Sequence, residues 1–163
     1  MKLLVTPAIV LSFVTDDTLR PYVVLKATLV GSDPKPVWTT RYIASTGKPR
    51  PLLGNGGWLD GGAAELHKAL ARDLKLAMRT LAKDVSKPYA RDDQALVLVQ
   101  GNFPYVKPRL QAVGYQLAED DRYFTFVPKL GDMLVFAGVN VFDKSVIKFR
   151  PATKEDQLFK TLD

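Results

Sequence analysis

The sequence predicts an α+β fold: an antiparallel β-meander with one long amphipathic helix packed on it, followed by a smaller β-rich C-terminal part. Three observations carry that reading. Residues 3–44 hold three runs dense in Val, Ile, Leu, Tyr and Thr, separated by turn-forming residues. Gly62 to Val85 contains no Pro and is rich in Ala, Leu, Lys, Arg and Met, with apolar residues recurring at helical spacing. From Ala95 onward the apolar runs are short and punctuated by Gly, Pro and Asp, the pattern of short strands.

In chain order, Leu3 to Val14 and Tyr22 to Val30 read as a long hairpin, with Thr15-Asp16-Asp17 and Arg20-Pro21 supplying turn chemistry between them. Met1-Lys2 before an apolar run resembles the start of a signal peptide, but Pro7 sits mid-run and no small-x-small site follows, so the stretch reads as strand. Gly31 to Pro36 breaks the chain, and Val37 to Ala44 alternates as a third strand. Ser45 to Gly61 is a loop long enough to be a functional one, which makes Arg50, Leu52, Leu53 and Trp58 a candidate partner-binding loop. The plainer reading is that Trp58 and Leu59 pin it to the core. Asp60 is placed to cap the helix and Leu59 to staple it.

At roughly 100° per residue, Ala63, Leu66, Leu70, Leu74, Ala77, Met78, Leu81 and Val85 share one face of the helix. Leu70, Leu74 and Leu81 are therefore expected against the sheet. Ser86-Lys87-Pro88 ends the helix. Ala95 to Val99 reads as a buried strand. Arg109 to Ala118 fits a helix opened by Pro108 or a strand; strand is favoured, because Glu119-Asp120-Asp121 turns into the alternating Arg122 to Val127. Met133 to Phe136, Val139 to Phe142 and Val146 to Phe149 follow as short strands, enough for a small curled sheet. Thr153 to Asp156 opens a short terminal helix carrying Leu158, Phe159 and Leu162. Residues 1–100 then form an α+β core and 101–163 a β-rich part, compatible with one continuous domain.

Composition narrows the chemistry. A chain of 163 residues, 47% hydrophobic and 25% charged, can bury a substantial core. The sequence holds no Cys and one His, His67, which removes disulfides, thiolate metal sites, Cys nucleophiles and multi-His metal sites within this chain. A net charge of +6 admits anionic partners and requires none. No run approaches the length needed to span a bilayer as a helix.

Lys68, Arg72, Lys75, Arg79 and Lys83 form a basic stripe on the helix, opposite the Leu face. Such a row can track phosphates or an anionic lipid surface. A surface helix must also put polar groups there, and no aromatics interleave with them for base stacking. The Gly-rich loop Gly54-Asn55-Gly56-Gly57 lacks either phosphate-loop signature. His67 falls at the edge of the apolar face as a half-buried structural residue, with no nucleophile elbow elsewhere. Asp16-Asp17, Asp92-Asp93 and Glu119-Asp120-Asp121 sit in expected turns, where Asp is favoured for its backbone hydrogen bonds. No cofactor, metal or small-molecule substrate is called for.

The stretch Gly57-Trp58-Leu59-Asp60-Gly61-Gly62-Ala63-Ala64-Glu65-Leu66, running on to Val85 and preceded by Val37 to Ile43, resembles certain poorly characterised bacterial lipoproteins. Their periplasmic domains are anchored to the outer membrane through an N-terminal lipidated Cys. The likeness covers about a third of the chain, and this sequence has no such Cys, so the resemblance requires one upstream. It implies a non-catalytic domain in the periplasm or on the periplasmic face of the outer membrane that binds other proteins. The other reading is a cytoplasmic nucleic-acid-binding module using the basic helix face.

Overall fold

Three long strands open the chain: β1 (Lys2–Phe13), β2 (Thr18–Val30) and β3 (Pro36–Ser45), paired antiparallel as a meander. The computed structural model describes residues 1–33, 35–130, 134 and 136–162. Thr15 and Asp17 build the first turn: the Thr15 hydroxyl donates to Asp17 (2.7 Å) and accepts from the Thr18 N–H (3.0 Å), while Val14 N–H donates to Thr18 O (2.9 Å). A two-residue strand, β4 (Arg50–Pro51), adds to the start of β2.

The helix α1 (Asp60–Ser86) lies on β2 and β3 and runs parallel to β2. Ala69 sits beside Leu19 at one end, and Ala77 and Leu81 pack with Val23, Leu25 and Ala27 further along. Two expectations are corrected here. The helix is rotated from the face its Leu pattern indicates: Ala69, Asp73, Ala77, Thr80 and Leu81 are buried, whereas Leu74 is 42% exposed and Met78 and Val85 are exposed too. The sheet beneath already carries bulk in Leu25, Tyr42 and Trp38, so the helix turns its small residues toward it and approaches closely. The start of the helix is also not continuous. Gly61, Gly62 and Ala63 take left-handed φ values of 56°, 71° and 62°. Asp60 does not cap; its carboxylate accepts instead from the Gly56 N–H in the preceding loop (2.8 Å).

The remaining strands are β5 (Leu96–Gly101), β6 (Arg109–Glu119), β7 (Tyr123–Pro128), β8 (Val139–Asp143), β9 (Lys148–Pro151) and β10 (Phe159–Leu162). The sheet order is β1-β2-β3-β8-β7-β6-β5-β9, with β10 added to β6. β8 pairs parallel to β3, so strands from both halves of the chain belong to one mixed sheet. The fold is thus α+β, a helix on a mixed sheet with a β-rich remainder. Residues 109–118 are strand, closely packed: a Cβ on Gly114 would lie 2.1 Å from Val127 O. Phe124 on β7 stacks on Phe149 on β9 at 4.2 Å between ring centroids. Those strands are separated by two others, so this end of the sheet curls around a Phe-rich core.

The C-terminal helix expected from Thr153 is absent; the segment is a turn followed by β10. Asp156 accepts from the Thr153 N–H (2.7 Å) and from the Arg150 guanidinium (2.8 and 2.7 Å), which closes a turn where a helix would begin. Leu158 and Phe159 then pair along β6 rather than winding. Of the strand expected at 133–136, Met133 and Val135 lie outside the described residues, as do Gly131 and Asp132 just before it; Leu134 and Phe136 lie in a bend and a turn. The strand expected at 146–149 begins at Lys148, because Lys144–Val146 forms a 3₁₀ turn capped by Asp143.

Candidate interaction surface

The loop singled out from sequence is anchored rather than free. Trp58 is buried, and its indole N–H donates to Leu19 O (2.8 Å). Arg50 lies over the Trp58 ring at 5.3 Å and pairs with Glu65 at 3.3 Å. Leu52 packs on the same small cluster. Leu53, 70% exposed, is the apolar member of this set that reaches solvent. Trp58 thus holds the loop to β2 and α1.

The basic stripe is divided by its neighbours. Lys68 and Lys75 are exposed. Arg72 is turned inward: its Nε donates to Thr46 Oγ1 and lies 3.5 Å from Asp73 Oδ1. Arg79 and Lys83 are exposed and line a cleft with Glu119 and Asp120. Beneath Arg72, Asp73 is fully buried; its Oδ1 accepts from the Thr46 hydroxyl, and its Oδ2 has no partner among the described residues. Burial pushes this carboxyl above the usual carboxylate range, and the Thr46 hydrogen bond and Arg72 pull against that shift. An Asp at the centre of a packed helix face breaks the periodicity rule, so nothing in the pattern signals it.

His67 is exposed, not half-buried. The Asp pairs do occupy turns: Asp92 accepts from Gln94 N–H (2.8 Å), Asp93 from the Tyr115 hydroxyl (2.7 Å) and from Lys129, and Asp120 from the Arg122 and Tyr123 N–H groups. Among the described residues no group of three or more His, Asp or Glu is placed to hold a metal. Among them, too, no helix is long and apolar enough to cross a membrane.

The feature the sequence reading missed is β1. It is the terminal strand of the sheet, and almost all of it is exposed. Its odd residues stand on the same face of the sheet as α1, because Ile9 pairs with Val23 and Pro7 with Leu25, which lie under the helix. Leu3, Val5, Ile9, Leu11 and Phe13 are all exposed there, Ile9 by 62% and Phe13 by 52%. The flank of α1 turned toward β1 carries Leu74, Met78 and Val85. Together they make an apolar shelf, with β1 as floor and the helix as wall. At one end it opens into a cavity of about 510 Å³ lined by Leu3, Leu29, Trp38 and Val85, with Asp84, Tyr89 and Arg91 on its polar side. Asp84 accepts from the buried Tyr42 hydroxyl (2.6 Å) and from Tyr89 N–H (3.0 Å). Burial and then this carboxylate push the Tyr42 phenol above its ordinary range. The signal was present in the exposed half of the Leu/Met face: an apolar arc wider than one packing surface can cover. No protein-family model matches the chain, and no curated protein or solved structure matches it significantly.

Proposed function

We propose that this protein is a non-enzymatic domain of the bacterial envelope that mediates protein–protein interaction or assembly, docking through the free edge of β1 and the adjoining flank of α1. The observation that carries the reading is the exposed apolar shelf. Soluble proteins cover or blunt a long apolar edge strand, and one left open is a template for another chain. Asp92, Asp93, Asp120 and Asp143 are engaged in turns and structural pairs, which supports a binding role over catalysis. The envelope location rests on the likeness of Gly57 to Val85 to the lipoprotein domains.

A photo-crosslinking side chain at Ile9 or Met78, with Lys75 and Lys154 as exposed controls, tests the docking reading in producing cells. Adducts are expected at Ile9 and Met78 and not at the controls; their absence at all four positions would overturn it. Cell fractionation tests the location: recovery with the periplasm or outer membrane is expected, and recovery in the cytosol alone would contradict it.

A further inference from the structure

We infer that β1 docks a second copy of this chain, strand to strand and antiparallel, about a two-fold axis at Ala8. The inference rests on the reading of β1 as a docking edge and names its partner.

The two ends of the sheet differ. β9 is four residues long and carries Lys148, Arg150 and Pro151, which blunt that edge by charge and by a missing donor. β1 is twelve residues long, and no charged residue occurs from Leu3 to Thr15. Copies of a chain of net charge +6 repel one another over most of their surface. From Leu3 to Phe13 they meet through uncharged residues, with Lys2 at one end and the paired Lys107 and Asp16 at the other, so an uncharged, identical strand is a partner that this edge fits.

The edge has backbone groups to offer. Val14 N–H donates inward to Thr18 O, in the same register that pairs β1 with β2. Alternation then turns the N–H and C=O groups of the odd residues to the open side. Pro7 falls on that side, where its missing N–H does not interrupt the ladder to β2. It removes one donor per strand from any new ladder and leaves those of Leu3, Val5, Ile9, Leu11 and Phe13.

The strand is also complementary to itself. Directly opposed residues in an antiparallel pair share a face. The register that overlays Leu3–Phe13 on itself sets Leu3 opposite Phe13, Val5 opposite Leu11 and Pro7 opposite Ile9, all on the helix side. Phe13 of one copy then packs on Leu3 of the other, at the mouth of the cavity that Leu3 lines. Both apolar shelves join into one floor between the two helices. Because one patch meets its own copy, the contact closes at two chains and leaves no open edge of this kind.

Sedimentation velocity over a range of concentrations, on wild type and Ile9→Lys, tests the inference. The wild type is expected to be a dimer, and Ile9→Lys to weaken it at least about tenfold, near 1.4 kcal/mol, with an unchanged far-ultraviolet circular-dichroism spectrum. Because the chain has no Cys, Ala8→Cys gives a second readout independent of that variant. Ala8 faces its own copy across a non-hydrogen-bonded pair with Cα atoms about 4.5 Å apart, a separation a disulfide spans. Its oxidative cross-linking should outpace that of Lys154→Cys about tenfold or more, as expected of a pre-formed pair. A wild type that stays monomeric up to about 100 μM, where even a weak interface would associate, overturns the inference. So does Ala8→Cys cross-linking at the control rate. The photo-crosslink at Ile9 separates the two claims. An adduct of twice the chain mass supports self-pairing. An adduct of another mass overturns self-pairing and leaves the docking edge standing, and no adduct at any of the four positions removes both.

Discussion

Ala63 holds φ at 62° between Gly62 and the regular body of α1, a conformation that costs an L-residue roughly 1 kcal/mol. Glycine carries no such penalty. Ala63→Gly is therefore expected to raise stability by about 0.5–1 kcal/mol, read from urea denaturation; a loss would show that the left-handed turn does not persist in solution. Asp73 offers a test with a sign. Its folded-state pKa is raised by burial, so the folded protein holds the proton more tightly than the unfolded chain. Stability attributable to this group is highest below the unfolded pKa of about 3.9 and falls as pH rises from there through the raised folded value. Asp73→Asn does not titrate. It should gain on the wild type across that window and hold a constant difference above it, measured by denaturation from about pH 4 to pH 8. A difference that does not change with pH would mean that Asp73 is solvated.

At the scale of elements, α1 separates what the sequence shows from what it hides. Its position, length and termination at Pro88 follow from propensity and breaker residues, as do the three strands of the meander, except that Arg20-Pro21, expected in the first turn, lies inside β2 paired with Ser12 and Leu11. Its rotation does not follow. The apolar residues of α1 span an arc that serves two surfaces, and only the bulk of Tyr42, Leu25 and Trp38 on the sheet decides which part is buried. Leu81→Ala should accordingly cost about 2–5 kcal/mol by opening a cavity, whereas Leu74→Ala, at an exposed position, should cost under about 1 kcal/mol. Equal losses, by chemical denaturation, would contradict the rotation. The same rotation carries Arg72 into contact with Thr46 and Asp73, leaving Lys75 and Arg79 as the better probes of an anionic partner. Lys75→Glu with Arg79→Glu is expected to remove only weak, low-salt binding to nucleic acid, since screening at physiological ionic strength suppresses exposed charge interactions. Sub-micromolar binding at physiological salt, lost in that double variant, would favour the nucleic-acid reading. The C-terminal segment hid for a different reason. Thr153 and Asp156 suit a helix start and a tight turn equally, and the open edge of β6 decides between them.

For the whole molecule, the two halves of the chain are joined by a pairing that no local pattern announces, β3 parallel to β8. That closure leaves the main run of strands ending in a blunted edge at β9 and an open one at β1. The apolar content of Leu3 to Val14 marks a strand in either setting; whether it is central or terminal depends on topology, which is why its role was legible only in the fold. Amide hydrogen exchange along β1, measured residue by residue, is the direct test of its pairing with a second copy. The even residues bond to β2 and should be protected at any concentration. Leu3, Val5, Ile9, Leu11 and Phe13 are expected to be protected as well at concentrations where the protein self-associates, and to lose that protection in Ile9→Lys. Exchange of these five amides at the rate of free peptide, in concentrated wild-type protein as in the variant, would contradict it.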